Sequence, residues 1–497
     1  MTDNVLSAAR KTSFPRQVAS LQVQAGISLL ALIAAAPAFA QKYDGSGAPV
    51  LVPHTLQQAL GRAYLTNPQL REERANLRAI DEKMPTAQSG WHPTISGTAG
   101  LTYYQGYSNY LQKTSMGSMP SGEKYHTPGY TGGVTVTEPI YQGGKTVASI
   151  RMARNQIMAA RAKLLATEQQ VLLKAVQAYV GVVEDEQLLQ ISLNNERVLR
   201  QQLDATNRRF QLGELSRTDV AQAQGALATA TSSRQQAEGT LQIQKATYLQ
   251  VIGVGAPPNL VPPQPLKPFV HSQQQAISIA VHNNPNVVAA LFTEGGQKDN
   301  VNVQIAGLMP KVSAELAYMH MKNQGYGNSI QDNKYAELAF QVPVYQGGGQ
   351  YAAVRQARQT ALSAYQEVNV QRRTALQLAA ASWQQMEAAQ RSMKSNRLAV
   401  AANIAALAGV ERQALTGTSS TLEVLQQQQT LLQSQQALVQ TVATLVTSTY
   451  QVASAIGRLT AVDLKLPVPL YDDRAYYNAV KDRWVGIGDY AVNQPGR

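Results

Sequence analysis

Alternation of apolar and polar residues marks four short stretches of this chain, and helical spacing marks four much longer ones. From Pro93 to Tyr103, Ile95, Gly97, Ala99, Leu101 and Tyr103 oppose Thr94, Ser96, Thr98 and Thr102, the period of a half-buried strand. Val134 and Val136 oppose Thr135 and Thr137, Val312, Ala314, Leu316 and Tyr318 oppose Lys311, Ser313 and Glu315, and Leu338, Phe340 and Val342 oppose Glu337 and Gln341. Each run is about ten residues, enough for a tilted strand to cross an outer membrane. Between these pairs the period changes. From Gly144 to about Gln211, and from Gly349 to about Leu415, no proline interrupts a run rich in Ala, Leu, Gln and Arg. Apolar residues recur there at spacings of three and four, as in Leu164, Val171, Ala175, Ala178 and Val182, which predicts packed helices of coiled-coil length, about 100 Å each.

Punctuation predicts where these helices turn. Ser216 with Asp219, and Ser420 with Glu423, fit a capping box that opens a returning helix. The returning helices are expected to stop at Ile252-Gly253 and Ile456-Gly457. Shorter helices precede each strand pair, one from Thr55 with Gln58 and one from Asn67-Pro68.

The halves are copies. Pro139-Ile140-Tyr141-Gln142-Gly143-Gly144 returns as Pro343-Val344-Tyr345-Gln346-Gly347-Gly348, an offset of 343 − 139 = 204. Gly213, Ser216, Asp219 and Val220 match Gly417, Ser420, Glu423 and Val424 at the same offset. Upstream, Asn67-Pro68 matches Asn284-Pro285 and Pro93 matches Pro310, 217 apart, so 217 − 204 = 13 extra residues lie between Pro93 and Pro139. Length changes concentrate in loops, so the Gly/Ser/Tyr-rich stretch 106–133 is expected to be a loop. Tyr103, Tyr104, Tyr107 and Tyr110 gather near one strand end and Tyr141 and Tyr345 near the other, as in the aromatic girdles of membrane barrels. Four strands cannot close such a barrel, and open edges in lipid are prohibitively costly. Membrane-crossing strands would therefore require several chains to share one barrel.

Composition narrows the picture further. The 497 residues carry a net charge of +12, with basic residues scattered rather than striped, so nucleic acid is not an expected partner. Arg10, Lys11 and Arg16, an apolar stretch over 25–36 and Ala38-Phe39-Ala40 form a cleavable export signal over 1–40. Its removal, with Asp3, would change the charge to 12 − 3 + 1 = +10. There is no cysteine, hence no lipid-anchoring cysteine. No reactive constellation appears. Gly144-Lys145-Thr146 ends like a phosphate loop, but Pro139 stands where its first glycine should be and the second copy reads Gly348-Gly349-Gln350. The six histidines lack metal-ligand spacing. No enzyme, cofactor or metal is expected. A periplasmic coiled-coil scaffold or adaptor is the alternative on pattern alone, although adaptors usually carry one helical hairpin.

Two ordered copies of helix–strand–strand–helix–helix, each with Asn-Pro before its first strand and the Pro-[Ile/Val]-Tyr-Gln-Gly-Gly junction, resemble the TolC-like outer-membrane efflux proteins. The likeness spans about Thr55 to Leu466, and the tail with Leu466-Pro467-Val468-Pro469-Leu470-Tyr471-Asp472 and Asp482-Arg483-Trp484 looks like the members serving type I secretion and multidrug efflux. The resemblance implies a mixed α/β membrane protein, a homotrimer whose chains each give four strands to a 12-stranded antiparallel barrel above a helical periplasmic tunnel. It divides the mature chain into a first repeat (41–256), a proline-rich linker (257–268), a second repeat (269–466) and a tail (467–497). Expected partners are two further copies of the chain, outer-membrane lipid, a periplasmic adaptor and, through it, an inner-membrane pump of RND or ABC type. The turns with Gly213, Ser216 and Thr218, and with Gly417 and Ser420, become the adaptor-docking tips. Glu423 takes an acidic entrance position. Ser419 and Ala414 stand where familiar members close the entrance with Arg and Tyr, which leaves Arg217 or Arg412 against Asp219 or Glu423 as candidate closing contacts. Pro139, Tyr141, Gly143 and Gly144, with Pro343, Tyr345, Gly347 and Gly348, become the strand-to-helix junctions.

Overall fold

A computed structural model describes residues 52–115, 117–323 and 329–496. The expected signal segment 1–40 lies outside these residues. Three helices, α1 (Leu56–Thr66), α2 (Pro68–Asp81) and α3 (Lys83–Gln88), lead into strands β1 (Thr94–Thr114) and β2 (Gly117–Tyr141). Helices α4 (Lys145–Gln211) and α5 (Arg217–Ile252) follow. The order then recurs with α6 (Gln273–Asn283), α7 (Pro285–Ala306), β3 (Lys311–Lys322), β4 (Ile330–Gln341), α8 (Gly349–Leu415) and α9 (Thr421–Ala455). A short α10 (Ala475–Val480) sits in the tail.

Local chemistry sets the boundaries. Thr55 and Gln58 form a capping box at α1, and the Asn67 side chain accepts from the Gln69 N–H with Pro68 at the first helical position. Asn284 and Pro285 repeat this at α7. The four orphan N–H groups of a helix start explain why these residue types recur there. Gly253, at φ +83°, ends α5 in the left-handed conformation that glycine adopts without a Cβ penalty. Helices α4 and α8 each contain 67 residues, about 100 Å of rise.

The main core forms where α4 meets α1, the C-terminal parts of α5 and α9, and the tail. Val171, Leu172, Val176, Tyr179 and Val182 bury against Leu60, Tyr248, Ile252, Leu459 and Ala461. The Tyr179 hydroxyl lies 2.7 and 2.8 Å from the carbonyls of His54 and Val261, so its one polar atom is satisfied. Arg74, fully buried, donates to the carbonyls of Tyr64 and Gly496, which fastens the tail to α2.

One sheet contains all four strands in the order β1-β2-β3-β4, every pair antiparallel. The stretch expected to be a loop is mostly strand. β1 and β2 have 21 and 25 residues against 12 each for β3 and β4, and their ladder continues from Thr94↔Thr137 to Thr114↔Gly117. Backbone pairing between two adjacent segments can proceed without a strong apolar pattern, which is why alternation underestimates the hairpin. Tyr103, Tyr104 and Tyr107 accordingly lie within β1 rather than at its end. Among the described residues, no helix is long and apolar enough to cross a membrane.

Candidate functional site

Two regions carry the sequence-derived site residues: the junctions between sheet and long helices, and the tips of the helical hairpins. At the first junction β2 runs through Pro139 and Tyr141, with a bulge where Pro139 pairs Ser313 and Tyr141 pairs Val312. Gly143 and Gly144 then take φ +63° and +83°, and α4 begins. Gly347 and Gly348 repeat these angles at +63° and +81° before α8. Left-handed backbone at two successive positions costs any side-chain-bearing residue about 1–2 kcal/mol each, so the glycines are conformational requirements. Lys145 donates its N–H to the Gln142 carbonyl at 3.1 Å as the helix starts. The preceding strand is antiparallel, unlike the buried parallel strand before a phosphate loop.

The junctions differ in surroundings. β4 stops at Gln341, so Pro343 and Tyr345 follow the strand instead of ending it, a departure from the expected repeat. β4 is a free edge, whereas β2 lies between β1 and β3; Pro139 and Tyr141 pair with β3 alone, because β1 begins at Thr94 opposite Thr137. A Cβ on Gly143 would come within 2.5 Å of Met309 Cβ and 2.8 Å of the Ala306 carbonyl, while one on Gly347 would meet nothing within 4 Å.

At the first tip, Gly213 (φ +77°) closes α4 and the Glu214 N–H returns to the Arg209 carbonyl at 3.0 Å. This double closure satisfies helix-end carbonyls. Ser216 and Asp219 then cap α5 reciprocally: the Ser216 N–H donates to Asp219 Oδ2 at 2.9 Å and the Asp219 N–H to Ser216 Oγ at 3.2 Å. At the second tip, Gly417 (φ +79°) closes α8, the Thr418 N–H reaches the Gln413 carbonyl at 2.9 Å, and Ser420 and Glu423 form the same box. Ser419 Oγ donates a further, short hydrogen bond to Glu423. That bond and the Ser420 N–H hold the Glu423 carboxyl below its ordinary value, and Ser216 does the same for Asp219.

Within one chain Arg217 and Arg412 form no ion pair with Asp219 or Glu423 among the described residues. Both carboxylates are turned onto their own helix N-termini, where hydrogen bonding and the dipole favour them. Arg209 pairs instead with Glu214 at 2.9 Å. Gly213, Ser216, Arg217, Thr218, Arg412, Gly417, Ser420 and Glu423 are all exposed.

Sequence reasoning missed the apolar residues beside these turns. Leu212 and Leu415 are 75% and 83% exposed, and Phe210 and Leu422 are exposed too. Their signal was legible, since leucine next to a turn glycine has no core to enter, but periodicity assigned them to the helices. Exposed apolar groups clustered at a helix end suit contact with another protein.

This geometry has known counterparts. Residues 59–254 and 276–458 match the model of the family described as outer membrane efflux protein. The chain is 31% identical over 435 residues to the outer membrane efflux protein BepC of Brucella suis, covering 87% of this chain and 92% of that one. It is 22% identical to the outer membrane protein TolC of Escherichia coli, covering 82% and 83% of the two chains. The crystal structure of the outer membrane protein VceC from Vibrio cholerae superposes with a TM-score of 0.69 at 18% identity, covering 81% of this chain and 96% of VceC. A four-stranded sheet continuous with paired 67-residue helices, the extent of the family match and the likeness to BepC lead to one conclusion: this chain belongs to the outer membrane efflux protein family.

Proposed function

We propose that three copies of this chain form a passive export duct in the outer membrane of a Gram-negative cell. Each copy contributes β1–β4 to a closed 12-stranded barrel, and the long helices enclose a tunnel through the periplasm. The observation that carries this reading is the sheet itself. It has four strands, two free edges and one apolar face on which Ile95, Leu101, Leu316, Leu338 and Phe340 are all more than half exposed. Such a face suits lipid, but lipid tolerates no open strand edge. Closure by neighbouring copies satisfies both demands. Export over 1–40 by a cleavable signal, and a mature chain divided at 257–268, belong to the same reading.

In this arrangement the tips face the inner membrane. Gly213, Ser216, Thr218, Gly417 and Ser420 with their neighbouring leucines dock a periplasmic adaptor, which links the duct to an inner-membrane pump of RND or ABC type. Energy and cargo choice rest with the pump. Glu423 contributes one carboxylate per copy to the entrance, and three such groups form a ring that attracts cations. Arg217 or Arg412 of one copy closes this entrance against Asp219 or Glu423 of the next. Drugs, small molecules or proteins are the cargo classes a duct of this kind passes.

The test is assembly and conduction. Outer-membrane fractions should contain trimers that dissociate on heating, and the purified protein should conduct ions across planar bilayers. Protease added to intact cells should cut between residues 108 and 122. A soluble periplasmic monomer would overturn the reading.

A further inference from the structure

The apolar sheet face changes character along its length. Cross-strand partners share a face, so the registers define rows across the sheet. Nearest the helices, Val312 pairs Phe340 and Ala314 pairs Leu338; next comes the fully apolar row Ile95, Val136, Leu316 and Ala336. The following rows turn polar: Val134, Tyr318 and Lys334, then His320 and Asp332, then Leu101, Tyr130, Lys322 and Ile330. Beyond them β1 and β2 continue alone. Their same-face pairs are Tyr103 with Pro128, Gln105 with His126, Tyr107 with Lys124, Asn109 with Gly122, Leu111 with Pro120, and Lys113 with Ser118. The 13 residues from Thr102 to Thr114 give this projection about 40 Å of strand.

Cations and aromatic rings are paired on these rows. Lys322 Nζ lies 5.9 Å from the Tyr130 ring centroid, and Lys334 Nζ lies 5.6 Å from that of Tyr318. Asp332 is already engaged, accepting from the Tyr318 hydroxyl at 3.0 Å and lying 2.8 Å from His320 Nδ1. Lys113, Lys124, Lys322 and Lys334 form no ion pair among the described residues, and Tyr103 and Tyr107 are 63% and 60% exposed.

We infer that this aromatic and cationic face docks the phosphorylated sugar headgroups of the outer-leaflet glycolipid, lipopolysaccharide. The inference rests on the reading that the sheet crosses the outer membrane. In that setting the apolar rows meet acyl chains, and the end remote from the helices lies at the outer headgroups. Lysines there complement phosphate by charge. Tyrosine offers a flat apolar face to sugar rings and a hydroxyl to their polar edge. The projecting hairpin continues the same face into the sugar layer, which gives its length a role.

The test uses the full-length protein purified from outer membranes. Co-purified lipopolysaccharide per trimer is measured, together with the rise in trimer dissociation temperature on adding intact lipopolysaccharide, dephosphorylated lipopolysaccharide or inorganic phosphate. Intact glycolipid should raise that temperature, and the other two additions should have far less effect. Combining Lys124→Gln, Lys322→Gln and Lys334→Gln should lower co-purified glycolipid about tenfold. The same three positions changed to Arg should retain it, as should Lys311→Gln at the helix end of β3. Equal glycolipid in the Gln variant, or no difference between intact and dephosphorylated glycolipid on the natural protein, overturns the inference. Absence of trimers from the natural protein's outer-membrane fraction would instead overturn the duct.

Discussion

Leu172 and Leu376 occupy the same place in the two repeats (172 + 204 = 376), yet Leu172 is fully buried and Leu376 is 45% exposed. The contrast extends along both helices. The middle of α4 is enclosed by α1, α5, α9 and the tail, with Val171, Ala175, Val176 and Tyr179 buried around Leu172. Helix α8 buries mainly small residues, such as Ala357, Ala375 and Ala379, and leaves Leu362, Val370, Leu378, Leu398 and Ile404 more than one-third exposed. The pairings inside the hairpins differ as well. In the first, Glu196 takes ion pairs from Arg200 at 2.8 Å and Arg234 at 2.7 Å. In the second, Asn396 donates to Thr441 at 2.8 Å and Asn403 to Ser434 at 3.1 Å. One duplicated unit has thus become two parts, one finished within the chain and one whose apolar surface awaits a neighbour.

The largest expected effect breaks this contrast directly. Leu172→Asp places a charge in a closed core and should abolish the folded chain, a loss of several kcal/mol. Leu376→Asp should leave a folded chain by circular dichroism but reduce trimers in outer-membrane fractions. Equal behaviour of the two variants would remove the distinction.

The paired glycines offer a second comparison. Gly347→Ala should cost about 1–2 kcal/mol from backbone strain alone. Gly143→Ala meets Met309 and the Ala306 carbonyl as well, so its cost should exceed that of Gly347→Ala in denaturant unfolding. Equal losses would mean that the first junction is looser than described.

Asp81 gives a third asymmetry, since Lys298 stands at the matching place in the second repeat (81 + 217 = 298). The Asp81 carboxyl is fully buried with neither oxygen hydrogen-bonded, and burial pushes it up to about 7 against the opposing pull of Arg161. A carboxyl raised in the folded state binds a proton there that the unfolded chain has already released. Its effect therefore weakens the fold as pH rises from about 4 to about 7. Asp81→Asn should raise melting temperature at pH 8, by about 2 kcal/mol in stability, with little change at pH 4. A uniform shift at both pH values would contradict the assignment.

The tips carry the smallest effects. Glu423→Gln should weaken cation preference and divalent-cation block of single-channel conductance, and Asp219→Asn should do so less. Selectivity and block unchanged in Glu423→Gln would remove Glu423 from the entrance.

Much of the helical architecture was legible because its signals are local. Capping boxes at Thr55, Ser216 and Ser420, prolines at positions 68 and 285, and turn glycines at 213 and 417 each act within a few residues. Long-range features were harder to read. The β1–β2 hairpin outruns its apolar alternation because backbone pairing sustains it, so residues 106–133 looked like a loop. Pro343 and Tyr345 copy Pro139 and Tyr141 in sequence but not in pairing, because one phrase follows an edge strand and the other ends an inner one. The candidate site was legible at the residues that bend the chain. Its closing contacts were not, since Asp219 and Glu423 are engaged by their own caps and Arg217 and Arg412 find no partner carboxylate among the described residues. The leucines at the tips escaped notice because helical periodicity absorbs an apolar residue without asking whether a core lies behind it.

The central claim is that three chains complete one barrel, and the free edges of β1 and β4 test it most directly. Because the chain has no cysteine, cysteine pairs scanned along these two edges report only edge-to-edge contact. Oxidation in outer membranes should give covalent dimers and trimers with nothing larger, as β4 of each copy meets β1 of the next. Monomers at every pairing, or a ladder continuing beyond three, would contradict the account.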